Sequence, residues 1–280
     1  MPRIDAAREA LAEGGVAELV RRTRLWSAGK IYPGVMPRPR PKRPRVRPAP
    51  TPSARDVGHA AALAWFDERR STYERLATAV APYVDPEGVF FDVGANIGYF
   101  TRTLAEQTGF RGTAHLFEPV PHLVGLCAQT LAGAPYESVV HAFGLSDTDA
   151  TLDLYLSADG NLGWNTMVAA KATPGMVRTE IEVRSWASSG VTDVPTFIKI
   201  DVEGAEHRVL TGLLPALRTW TRRPAILCEI GWGTTHPDWT DELAAFAAMT
   251  AIGYRIVDLD GRPIDVATLT RTTDVLFLPS

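Results

Sequence analysis

The sequence predicts an α/β fold built on a parallel, doubly wound sheet, on three observations. From Val89 onward, short apolar runs alternate with stretches whose apolar residues recur at helical spacing. The runs end in acids, at Asp92, Glu118, Asp147, Asp201 and Glu229. The first run leads into Gly94-Ala95-Asn96-Ile97-Gly98, a glycine-spaced turn with helix-forming residues behind it.

The chain has 280 residues, 45% hydrophobic and 22% charged, enough for one large domain or two small ones. Its apolar runs fall far short of the roughly 20 residues a membrane-spanning helix needs, and no charged-then-apolar leader is expected, so the default compartment is the cytoplasm. Two cysteines, Cys127 and Cys228, both in apolar settings, exclude a disulfide scaffold or a cysteine-rich zinc site. The net charge of −3 hides an asymmetry. Residues 1–55 hold thirteen Lys/Arg against four Asp/Glu, +9, which leaves sixteen against twenty-eight, −12, for residues 56–280. A basic arm (1–55) is thus joined to an acidic body (56–280), and the body is a poor surface for nucleic acid.

In the arm, Ile4, Ala7, Leu11, Val16, Leu19 and Val20 form a modest amphipathic pattern broken by Gly14-Gly15, which predicts a short helix. Proline at nearly every second position of 36–52 removes backbone donors, so that stretch is expected to be an extended, polyproline-like tether. The sharper expectation is contact with an acidic surface or another subunit, a homo-oligomer included. Residues 56–87 lead in, with Ala61, Leu63, Phe66, Tyr73, Leu76 and Val80 at helical spacing and a break at Pro82 and Pro86.

The core, 88–280, follows. Strands are expected near 89–93, 114–118, 138–145, 196–201 and 224–230, with helices over 99–107, 119–131, from about 205 to 217, and over 241–252. Residues 150–156 and 178–184 alternate without a helix between them, a β excursion whose loop, Asn161 to Thr166, is placed to sit over a site. Residues 254–259 and 274–278 are too close for a helical crossover and predict a closing antiparallel pair.

In an open parallel sheet, ligands bind beyond the carboxyl ends of the strands, where strand order reverses. Glu118 lies twenty residues after Gly98, the interval at which an acid takes both hydroxyls of a ribose. A dinucleotide and S-adenosylmethionine both satisfy that much. The turn lacks the middle glycine that lets backbone approach a pyrophosphate, and Asp92 with Asn96 suits an amino-acid ammonium better than a phosphate.

DVGANIGYFT from Asp92, FEP from Phe117, LSD from Leu145 and KIDVEGAEHRVL from Lys199 together resemble the signature of the FkbM-type S-adenosylmethionine-dependent methyltransferases, over about residues 88–232. The resemblance implies a class I methyltransferase fold, Rossmann-like, with a seven-stranded, mostly parallel sheet and a closing antiparallel strand, and a hydroxyl acceptor on a sugar or natural product. It implies that Asp92, Gly94, Asn96 and Gly98, with Tyr99 beside them, line the methionine and ribose side of the cofactor. Glu118, followed by Pro119, takes the ribose, Ser146 and Asp147 the adenine, and Asp201 shares a role at the cofactor's amino group.

Methyl transfer to an alcohol needs a group that removes or shares the hydroxyl proton. Asp201, Glu203, Glu229 and His236 are the candidate bases, at or just beyond the ends of the fourth and fifth strands. Acids such as Glu203 and Glu206 also suit the first turn of a helix on dipole and capping grounds alone. Trp164, Trp232 and Trp239 are candidates to stack on a sugar. No metal is expected, because Ile230 and Gly231 stand where a second metal-binding acid or amide follows the strand-five acid in metal-assisted enzymes of this fold. The function expected is O-methylation of a sugar or glycosylated small molecule. The rivals are methylation of a polyketide or peptide, an NAD-type oxidoreductase and a non-catalytic scaffold.

Overall fold

The computed structural model describes residues 57–157 and 161–280. The basic arm, with its expected helix and tether, lies outside the described residues. Two lead-in helices, α1 (His59–Asp67) and α2 (Arg70–Val80), precede the sheet. The core then runs β1 (Val89–Val93), α3 (Tyr99–Thr108), β2 (Thr113–Phe117), α4 (Pro121–Thr130), β3 (Glu137–His141), β4 (Gly144–Ser146), β5 (Ala150–Leu156) and β6 (Val177–Ser185). It closes with β7 (Phe197–Ile200), α5 (Glu206–Thr219), β8 (Ala225–Ile230), α6 (Trp239–Ala251), β9 (Tyr254–Val257) and β10 (Thr273–Pro279).

Seven strands form the main sheet in the order β3-β2-β1-β7-β8-β10-β9. Every neighbouring pair is parallel except those of β10, which runs antiparallel to both β8 and β9. This is the mostly parallel, seven-stranded sheet that the resemblance implies. Its central strands β2, β1, β7 and β8 are buried on both faces nearly throughout, as a doubly covered sheet requires. Phe91, Val93, Ile198, Ile200, Ile226 and Cys228 pack on one side under α5 and α6, and Phe90, Leu116, Phe197 and Leu227 on the other against α2 and α3.

The third strand differs from expectation. The apolar run 138–145 is two strands: β3 ends at His141, whose carbonyl accepts the Glu118 N–H at 3.0 Å, and β4 belongs to a second sheet of order β4-β6-β5. Phe143 turns the chain between the sheets, with its ring 5.9 Å from that of Phe117 and the Arg184 guanidinium 4.3 Å above it. The β excursion is present, with β5 and β6 antiparallel over their length. A third apolar cluster, including Phe66, Tyr99, Leu123, Leu154 and Ile181, fastens the lead-in helices and this excursion to the main sheet. Among the described residues no helix is long and apolar enough to cross a membrane.

Candidate active site

Strand order reverses between β1 and β7. Beyond their carboxyl ends lies a cleft of about 1000 Å³, counting the part open to solvent, at the upper end of the range usual for small-molecule sites. Three non-glycine residues among the described ones have positive φ: Asn96 at 52°, Glu203 at 63° and Trp232 at 56°. They follow the adjacent strands β1, β7 and β8, so backbone strain is concentrated at this rim.

The first turn is built around Gly94. Its φ is 79°, and a Cβ there would lie 1.8 Å from the Asp201 carbonyl oxygen, so only glycine lets the ends of β1 and β7 approach. The N–H groups of Gly94 and Ala95 donate to the Phe117 carbonyl at 3.0 and 3.2 Å. The Asn96 N–H donates to Glu118 Oε2 and the Val120 N–H to Glu118 Oε1, each at 2.9 Å. Glu118 is 5% exposed, and burial pushes its carboxyl up to about 7 in spite of these donors. Asn96 Nδ2 donates to the Leu162 carbonyl at 2.8 Å, while its Oδ1 is buried with no partner among the described residues.

Gly94, Asn96, Tyr99, Glu118, Pro119 and Asp201 all line the cleft. Other expected cofactor residues do not. Asp92 lies beneath the turn, fully buried, accepting from Thr101 Oγ1 at 2.6 Å and standing 3.2 Å from Lys199 Nζ. Gly98 caps α3 with φ 77°, and a Cβ there would press on Cys127 Sγ at 3.0 Å, so its place is in helix packing. Ser146, the last residue of β4, and Asp147 after it lie outside the cleft lining: the Ser146 backbone packs on Gly212 of α5, and Asp147 is exposed. The split of the third strand causes this displacement, and Gly144 and Leu145 line the cleft in their stead.

At the other end of the cleft, Asp201, Glu203 and Glu229 come together. The side chains of Glu203 and Glu229 have no hydrogen bond or ion pair among the described residues. Burial, then the negative charge of Asp201, raises both carboxyls well above the usual range. Asp274 at the start of β10 pairs across the ladder with Glu229, and burial brings its carboxyl up to about 6. Among the described residues the one cation lining the cleft, Lys199, donates to the Gly94 carbonyl at 2.8 Å and is 3.4 Å from Asp201. Although burial opposes its charge, Asp201 and Asp92 hold its ammonium above the ordinary value. Among the described residues no group of three His, Cys, Asp or Glu is arranged to hold a metal ion.

His236 is not brought to the cleft. Its Nδ1 accepts the Asp238 N–H and its Nε2 points at the Gly204 carbonyl, both at 3.0 Å, and the side chain is buried. The Asn161–Thr166 loop does meet the site: Gly163 and Asn165 line it, as does the adjoining Met167, whose N–H donates to the Glu203 carbonyl at 3.0 Å. Trp164 is exposed, and Trp232 packs over Gly204. Sequence reasoning missed Tyr73 and Lys199 in the cleft, and Asp274 beside Glu229. Tyr73 lines the cleft from α2, its ring 5.2 Å from that of Tyr99. A lysine at the centre of a buried FIKI strand was the readable signal for Lys199, since it demands a counter-charge.

A profile of the FkbM methyltransferase domain matches residues 92–256. Among solved structures, the chain is similar to methyltransferase FkbM from Methylobacillus flagellatus KT, at 19% identity over 69% of this chain and 44% of that one, with a TM-score of 0.46. It thus spans less than half the length of that protein. Precorrin-6y C5,15-methyltransferase from Geobacter metallireducens GS-15 is similar at 11% identity over 74% of this chain and 87% of that one, TM-score 0.42. The plantazolicin methyltransferase BpumL, solved with SAH, follows at 11% over 79% and 95%, TM-score 0.40. No curated protein sequence matches. With a profile that takes in the glycine turn, Glu118, the Lys199–Glu206 segment and Glu229, the chain belongs to the FkbM methyltransferase family.

Proposed function

We propose that the protein transfers the methyl group of S-adenosylmethionine to a hydroxyl of a sugar or glycosylated small molecule. The observation that carries this reading is the division of one cleft into two chemically distinct ends. One end offers Glu118 and the unpartnered Oδ1 of Asn96, acceptors matched to ribose hydroxyls and an ammonium. The apolar wall of Leu145, Leu154, Ile181 and Val183 is suited to a flat base. The other end offers unpaired carboxyls with raised proton affinity.

When bound, S-adenosylmethionine supplies a methyl group already activated on its sulfonium. What is left to the chain is to orient an acceptor oxygen and take its proton. Glu203 and Glu229 are suited to this, since a carboxylate with a raised pKa is a stronger base for an alcohol than an ordinary one.

Titration calorimetry with S-adenosylmethionine and with NAD tests the cofactor, and binding of NAD alone would end the proposal. Incubation with ¹³C-methyl S-adenosylmethionine and a panel of methyl glycosides tests the acceptor. The expected product is a base-stable methyl ether seen by NMR; a methyl ester, or transfer only to peptides or polyketides, contradicts the sugar assignment.

A further inference from the structure

Glu203 at φ 63° and Gly204 at φ 101° form two successive left-handed residues before α5. For a residue with a Cβ such a conformation is sterically costly and persists only where neighbours impose it. Here several elements impose it. Glu206 Oε1 accepts the N–H groups of Val202 at 2.9 Å and Gly204 at 3.1 Å, tying the turn to the first residue of α5. From the excursion loop, the Met167 N–H holds the Glu203 carbonyl. Trp232 and Val168 cover Gly204 so closely that a Cβ would lie 2.6 and 2.7 Å from them. The Gly204 carbonyl is left to His236.

The tautomer of His236 follows from its partners. Asp238 donates a backbone N–H to Nδ1, so Nδ1 carries the lone pair and the ring proton is on Nε2, directed at the Gly204 oxygen 3.0 Å away. Neither nitrogen has a lone pair for a substrate proton. Burial also holds the imidazole below its ordinary pKa, which keeps it neutral, and Glu242 Oε1 stands 3.5 Å from the same Nε2, farther than the Gly204 oxygen.

We propose that His236 is a positioning residue: its bond to the Gly204 carbonyl holds the Glu203 turn in its left-handed form and keeps the Glu203 carboxylate in the cleft. This rests on the methyl-transfer reading only in assigning that carboxylate a use. His236, read from sequence as a base, thus stands one step behind the base.

The test compares His236→Leu, which removes the donor, with His236→Gln, whose Nε2 can still reach the carbonyl. Hydrogen exchange followed by mass spectrometry on the full chain should show amides of residues 202–206 exchanging at least roughly tenfold faster in His236→Leu, with most of the protection restored in His236→Gln. On the glycoside methylated most in the panel, His236→Leu should lose on the order of 100-fold in kcat, as for a group displaced by about an ångström, while S-adenosylmethionine affinity stays within about threefold. In the Glu203→Gln background the same change should cost little more, because the two residues act in series. Unchanged exchange in His236→Leu overturns the proposal, as does a His236→Gln as damaged as His236→Leu, or a full additive loss in the double variant. Exchange is read without substrate, so a wild-type protein that binds no S-adenosylmethionine would refute the cofactor assignment while the exchange comparison still decides this one.

Discussion

Cofactor binding should strengthen as pH rises through 7, and Glu118 is the reason. Its two oxygens each accept one backbone N–H, from Val120 and from Asn96, so a bound proton must take a remaining lone pair. Those are the positions a ribose hydroxyl would use. Protonation and ribose binding therefore compete, and the ionised form is the binding form. With the carboxyl raised from 4.5 to about 7, roughly a tenth is ionised at pH 6 and nine-tenths at pH 8. The dissociation constant of S-adenosylhomocysteine should fall about tenfold over that interval, with release of about half a proton per ligand at pH 7. Calorimetry in buffers of different ionisation enthalpy reads both. In Glu118→Gln one backbone N–H faces an amide NH₂ instead of an oxygen, so affinity at pH 8 should drop roughly 10- to 100-fold and lose its pH dependence. A wild-type affinity constant across the interval, or proton uptake on binding, would refute the argument. Without ligand the sign reverses. A raised folded-state pKa means the folded chain holds more protons than the unfolded chain between 4.5 and about 7, so this group's contribution to stability falls by about 3 kcal/mol as pH rises through that window.

Three further outcomes follow from the site. Lys199→Met strands the fully buried Asp92 without its cation and should destabilise the fold by about 3–5 kcal/mol in denaturant titration, with part of the loss recovered in the Asp92→Asn double variant. Gly94→Ala forces a Cβ onto the Asp201 carbonyl at positive φ and should cost at least about 2 kcal/mol, with lost cofactor binding in whatever protein still folds. Glu229→Gln should lower turnover on the accepting glycoside at least about tenfold while cofactor affinity, measured by calorimetry, changes little.

The parallel sheet was legible because its strands are continuous apolar runs with turns of glycine and acid between them, and the site because acids mark their carboxyl ends. Glu118, Asp201, Glu203 and Glu229 were found on that ground and do line one cleft. Asp274, which pairs with Glu229 across the ladder, was not found so, because it stands near the amino end of the antiparallel strand β10. The break between β3 and β4 was hidden by Ala142 and Phe143, which keep the run apolar while the chain changes sheets. Tyr73 sits at a spacing that reads as helix packing, and it both packs and faces the cleft. His236 misled because residue type and loop position suggest a base, whereas hydrogen bonds to Asp238 and Gly204, set by the fold, occupy both its nitrogens.

The left-handed backbone at Asn96, Glu203 and Trp232 has a consequence for how this chain responds to selection. Glycine at such positions relieves a steric cost of about 1 kcal/mol or more, so a screen for thermal stability alone, blind to activity, should enrich Glu203→Gly, whereas Trp232, whose ring packs on Gly204, would lose more in packing than it gained. That substitution would remove a carboxyl from the cleft in exchange for hardiness. An engineer seeking a robust variant would therefore do better to leave the ends of β1, β7 and β8 fixed and look for gains elsewhere.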